Sequence, residues 1–318
     1  MSEQRYFNRD SQANDYSGDQ LADMQSKARE GKQLVIQSPE LAGYIDHIDF
    51  ELLNNVIREL LERYGVKDFS RLNLNADKIY QENKALGRYN FEADIVAVNI
   101  SAIKSLELTE SAKKIVVLRS IIHEYLHSLS YQVIHRYDGS YKYVRARVGL
   151  GGYETDESKN MMVSLEEGLN EILTKQILSE YVLAAGDVRT AEYHKIDEEE
   201  INKSESLSAY DLDVRIVNRL IIFIARESGV SEKTVFQAMV KEKLFGENLL
   251  GIWRKIFIDL LGLEHGESLY RVLVIASSSY YGSRDDLEKK LKRLAKLPRE
   301  KVGFFTRAIE FVLNALEL

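Results

Sequence analysis

The sequence predicts an α+β protein with a small mixed sheet and one enclosed central helix, followed by a mainly helical C-terminal region. Three observations carry this. The stretch ADIVAVNI at 93–100 has the β-branched density of a strand. After Thr109, the run ESAKKIVVLRSIIHEYLHSLSYQV contains no Pro or Gly. Its residues Ile115, Val116, Leu118, Ile121, Ile122, Leu126 and Leu129 cover much of a helical circumference, the profile of a helix inside a domain. From about residue 209 onward the patterns are helical.

Taken in order, residues 1–32 are polar and rich in Gln, Asn, Asp and Ser, and read as a flexible segment. A short strand is expected at Leu34–Gln37, with a turn at Pro39. DFELLNNVIRELLERYG from Asp49 is a helix whose stripe is Leu52, Leu53, Val56, Ile57, Leu60 and Leu61, with Gly65 as its stop. Weak periodicity follows to about residue 90, then the strand at 93–100. Thr109 caps the central helix. Asp138-Gly139 signals a turn, flanked by a hairpin or two short strands. Met161–Tyr181 is a second helix, buried along Met162, Leu165, Leu169, Ile172, Leu173, Ile177 and Leu178. The segment 192–205, with six acids and two lysines, is a solvated connection. Helices are expected over 209–228, 232–244, 248–262, 266–277, 284–296 and 300–316. The resulting division is a tail at 1–32, a region at 33–191 holding the sheet and the two long helices, and a helical region at 192–318.

Composition removes several classes of function. Of 318 residues, 45% are hydrophobic, enough for a sizeable core and too many for a wholly disordered chain. With 43 basic and 50 acidic side chains the net charge is −7, which argues against a nucleic-acid coat protein. There is no cysteine, so disulfides, thiolate nucleophiles and Cys metal sites are excluded. A transition metal would need nitrogen and oxygen ligands. No signal peptide or membrane-length apolar run is visible, so a cytoplasmic protein is expected.

The chemistry lies in the central helix. His123-Glu124-Tyr125-Leu126-His127 is an H-E-x-x-H pattern. Histidines four apart leave one helix face a turn apart and can grip one zinc ion. Glu124, one position on, can reach a water at that metal and act as its general base. An enclosed helix makes a purely packing role for these groups costly, because two imidazoles and a carboxylate would be buried without partners.

A catalytic zinc needs a third protein ligand and one position left for water. SLEEGLNEIL at 164–173 offers Glu166 and Glu167, which only the helix phase separates, and Glu171. Leu165 and Leu169 claim the core, so the polar edge favours Glu167 as ligand. Glu171, one turn on, could orient a ligand histidine through its second ring nitrogen.

HEYLH followed about forty residues later by EEGLNE resembles the gluzincin class of zinc metallopeptidases over roughly residues 93–181. In that class the motif helix meets a second helix carrying a glutamate ligand. The EGxxE form at 167–171 is similar to the aminopeptidase and lethal-factor branch. The resemblance implies a zincin-like core, zinc bound by His123, His127 and Glu167, and Glu171 as the acid behind the ligands. The activity it implies is peptide-bond hydrolysis by a metal-activated water, with Glu124 as general base and a peptide or protein as substrate. The metzincin pattern is excluded, since Ser130 and Val133 stand where Gly and His are required and His135 falls two places late. The GxMEN motif of the aminopeptidases is absent. Related enzymes use Tyr or His to stabilise the oxyanion; the candidates here are Tyr210, which is preferred, His194 and Tyr153. The hairpin region 141–153 and the strand at 93–100 could flank the cleft, where an exposed edge would add a peptide strand. The helical region 192–318 would complete one wall.

Two weaker signals remain. LIIFIARESGVSEKTVFQAMV at 220–240 resembles a helix-turn-helix, with Ser231 capping its second helix and Lys233, Gln237 and Lys241 on a groove-facing side. It supports an alternative reading as a helical DNA-binding or protein-interaction module with a non-catalytic or degenerate metal site, although its second helix holds no Arg. The stretch 284–301 has eight positive and four negative residues and an apolar stripe at Leu287, Leu291, Leu294 and Leu297. It reads as a helix with a solvated basic side.

Overall fold

The computed structural model describes residues 7–8, 26, 38–83, 85–91, 93–136, 143–153, 160–161, 163–185, 210–228 and 230–245. Most of the polar segment 1–32, the strand expected at 34–37, the acidic connection at 192–205 and the helices expected beyond 245 lie outside them. The described residues are α+β and fall into two compact units. Of the described residues, the first holds Phe7, Ser26 and those within 38–130 and 170–185; the second holds Asn8 and those within 131–169 and 210–245. The boundary passes through one continuous helix, between Leu169 and Asn170.

In the first unit, α1 (Pro39–Ile45) and α2 (Phe50–Arg63) precede a three-stranded sheet of β2 (Ile79–Gln81), β3 (Gly87–Asn90) and β4 (Ile95–Val98). The sheet is mixed: β2 runs parallel to β4, and β3 antiparallel. The short α3 (Ile100–Lys104) leads to α4 (Glu110–Leu129), which packs on β3 and β4. Each helix starts on a side-chain cap. Ser38, Asp49, Asn99 and Thr109 accept from the amides of Leu41, Leu52, Ala102 and Ala112 at 3.0–3.1 Å, which satisfies otherwise orphaned donors.

The residues expected to bury in α4 do so, and from Ile115 to Ser130 only Ser120 is not buried. The helix ends sooner than expected. Ser130 turns to extended backbone (φ −64°, ψ 147°), and the β-branched residues that follow enter a strand. A loop fixes this end: the Arg71 guanidinium donates to the carbonyls of Ser128 and Leu129, the last acceptors of α4. The Tyr125 hydroxyl accepts from the Asn73 amide at 2.7 Å.

Three other expectations change. Pro39 opens a helix rather than a turn, because its missing N–H costs nothing at the first helical position and Ser38 caps behind it. The weakly periodic stretch before residue 90 contains β2 and β3, each too short to alternate visibly. The strand at 93–100 shortens to Ile95–Val98 and is the middle strand, buried at all four residues. Both its edges are paired, so it cannot accept a peptide strand.

In the second unit, β5 (Gln132–Arg136), β6 (Tyr143–Val148), β7 (Gly151–Tyr153) and β8 (Asn160–Met161) form an antiparallel meander; β1 (Phe7–Asn8), of which Asn8 belongs to this unit, is next to β5 in the sheet order. The turn signal at 138–139 falls outside the described residues, between paired β5 and β6. α5 (Val163–Ala184) begins here and continues into the first unit. α6 (Asp211–Ser228) and α7 (Glu232–Phe245) pack together, and Ser231 caps α7 by accepting from the Thr234 amide at 3.1 Å. Among the described residues, no helix is long and apolar enough to cross a membrane.

Two tyrosines of the first unit link its core to pH. Burial pushes the hydroxyls of both Tyr125 and Tyr181 up to about 12. Tyr125 is 1% and Tyr181 0% exposed. The unfolded chain loses these protons near pH 10 while the folded chain keeps them, so stability is full below that pH and falls as pH rises towards 12. Denaturation midpoints followed across that window should fall steeply, and Tyr125→Phe should flatten the decline. An unchanged pH slope in that variant would remove Tyr125 from this linkage.

Candidate metal centre

Among the described residues, His123, His127 and Glu167 form the group able to hold one metal ion; each offers a ligand atom, and these atoms lie within 4.8 Å of one another. Glu167 leaves the second turn of α5. The imidazoles of α4 stack edge to face, with ring centroids 5.1 Å apart, as expected for residues one turn apart. Two nitrogens and a carboxylate oxygen suit zinc and leave its fourth position open. Both histidines are buried and Glu167 is half-buried.

The two neighbouring glutamates of α5 have different partners. Glu166 is fully buried, accepts from the Leu150 amide at 2.9 Å and is ion-paired with Lys243. Those contacts account for it, and Glu167 is the member of the metal group. Gly168 shows why the segment reads EEGLNE: a Cβ there would run into the Asp213 backbone and the Val217 side chain of α6. Glycine lets α6 approach the first turns of α5.

Glu171 stands behind His123, with its Oε2 3.4 Å from Nδ1. Its Oε1 pairs with Arg119, a partner the sequence reading missed although it lies one turn before His123. Burial alone would raise Glu171, but the contacts with His123 and Arg119 outweigh it and hold the carboxyl below its ordinary range. Asn170 adds a bond from its amide nitrogen to the His123 carbonyl at 3.2 Å.

Glu124 is 9% exposed and is held from β3. Its Oε2 accepts from the Tyr89 amide at 2.7 Å. The strand passes this close because of Gly87, where a Cβ would stand 3.0 Å from Glu124 Cγ. This contact was not legible in the sequence, since β3 itself was not.

The structure thus brings His123, His127, Glu167 and Glu171 together, with Glu124 in the same turn of α4 as the histidines. Tyr210 precedes α6, half-buried, its carbonyl accepting from the Val214 amide. Tyr153 ends β7, and His194 lies outside the described residues. Lys233 is exposed, while Gln237 and Lys241 are half-buried on α7, whose Val235, Met239, Val240 and Leu244 are buried. No protein-family model, curated protein or solved structure matches the chain.

Arg119 and Glu171 form a buried pair with 10% and 1% side-chain exposure. Arg119→Met should destabilise the metal-free protein by about 3–5 kcal/mol, because it strands the carboxylate. Arg119→Met with Glu171→Gln should recover much of that loss in denaturant titrations. Equal stability of wild type and the single variant would show that the pair carries no such strain.

Proposed function

We propose that the protein is a zinc-dependent peptide hydrolase of gluzincin type. One observation carries the reading: a buried carboxylate, Glu124, is fixed by a backbone amide in the same helical turn as both histidines of a His-His-Glu metal group. A structural zinc site has no need of that carboxylate.

His123, His127 and Glu167 would hold the ion. When bound, zinc supplies a Lewis acid that makes a water more acidic and polarises a carbonyl. Glu124 takes a proton from the attacking water and passes it to the leaving amine. The Tyr89 amide fixes one oxygen of that carboxylate, which orients the other for proton transfer. Glu171, backed by Arg119, keeps Nδ1 of His123 as the outward nitrogen. Tyr210 is the proposed donor to the oxyanion, and an extended peptide or protein the proposed substrate. The helix pair α6–α7 supports the second reading, an interaction or DNA-binding module, only by its capped turn; no observation favours it over hydrolysis.

Metal analysis of purified protein should give about one zinc per chain, as the open catalytic site requires, with loss or weakening in both His123→Ala and Glu167→Ala. Glu124→Gln should retain zinc and lose peptide-library cleavage. Cleavage at the wild-type rate in that variant would overturn the mechanism, and a wild type that binds no supplied zinc would overturn the site. Tyr210→Phe should lower kcat about 10²- to 10³-fold with little change in KM, the size typical of a lost oxyanion donor; an unchanged kcat would assign that role elsewhere.

A further inference from the structure

Helix α7 contributes a group that peptide hydrolysis as set out above does not use. Lys243 and Glu166 are ion-paired with both side chains at 0% exposure. The same knot includes the Leu150 amide, which donates to Glu166 at 2.9 Å, and the Lys243 carbonyl, which accepts from the Tyr131 amide at 2.7 Å. Gly149, at φ +53°, makes room, since a Cβ there would collide with the Glu166 carboxylate.

A wholly buried Lys–Glu pair contributes little net stability, because desolvation of both charges offsets their attraction, and apolar replacement is commonly neutral or favourable. Its value is geometric: such a pair is satisfied in one register only. That register matters here. Glu166 and Glu167 are consecutive on α5 and therefore point about 100° apart around its axis. Only one phase of the helix offers Glu167 to the metal group. The Lys243 charge also acts on Glu167, in addition to its contact with Glu166.

We propose that Lys243 is a positioning residue for the metal centre: by engaging Glu166 it fixes the phase of the first turns of α5, so that Glu167 is presented as ligand. This rests on the zinc-site reading above. The role is distinct from catalysis, since Lys243 acts through Glu166 and the helix.

The test compares full-length wild type with Glu166→Gln/Lys243→Met, which removes both charges while keeping an acceptor for the Leu150 amide. Stability is measured metal-free, zinc affinity by competition with a chromophoric chelator, and ligand geometry by the visible spectrum of the cobalt-substituted protein. The double variant should keep near-wild-type metal-free stability, bind zinc about tenfold or more weakly, as other groups supporting metal ligands do on mutation, and show an altered cobalt spectrum. Glu166→Asp keeps both charges but shortens the tether; it should weaken zinc binding in the same direction and serves if the double variant fails to fold. Wild-type zinc affinity and cobalt spectrum in the folded variants would overturn the proposal. His123→Ala separates the two failures. If wild type binds zinc through His123 while the Lys243 variants bind equally well, only the positioning role falls; if wild type binds no zinc, the site itself falls and the positioning role with it.

Discussion

The enclosure of α4 is the constraint on which the rest of the structure depends. A helix buried along nearly every residue from Ile115 to Ser130 carries Arg119, His123, Glu124 and His127 into the interior. Each would cost several kcal/mol if left unpartnered. The surrounding elements answer that demand one by one. β3 brings the Tyr89 amide to Glu124, α5 brings Glu171 to Arg119 and His123, and Asn170 reaches the His123 carbonyl. The loop at 71–73 closes the helix end. The arrangement that relieves polar burial is the same one that aligns two imidazoles and a carboxylate.

Helix α5 is built on the complementary plan. Its acids at 166, 167 and 171 are chemically equivalent in isolation, yet each has a different setting. Glu166 is neutralised by Lys243, Glu171 by Arg119, and Glu167 joins the metal group. Two glycines set the spacing. Gly168 admits the backbone of α6, and Gly149 admits the carboxylate of Glu166. Buried charge pairs thus stand on either side of Glu167 in the helix, at Glu166 and at Glu171.

Much of this was open to sequence reasoning where signals are local and periodic. The motif helix, its Thr109 cap, its burial from Ile115 onward, helix α2, the existence of the second long helix and the pairing of strands around 143–153 follow from local spacing, although that helix starts at Val163, two residues after the expected Met161, which lies in β8. The short strands β2 and β3 did not, because three or four residues leave no measurable alternation; their stability comes from pairing with β4. The terminus of α4 did not either, since helical propensity persists past Leu129 and a remote arginine decides the stop.

By itself, then, the sequence determined that two histidines and a glutamate share one turn of a buried helix, and that a second helix offers acids a turn apart. Those are properties of a 3.6-residue repeat and need no partner. Only the tertiary structure decided that Lys243 engages Glu166, that Arg119 backs Glu171, and that a strand amide holds Glu124. Those choices depend on groups 35 to 77 residues away in the chain. Local spacing cannot encode them, because electrostatic pairing and close approach act through space.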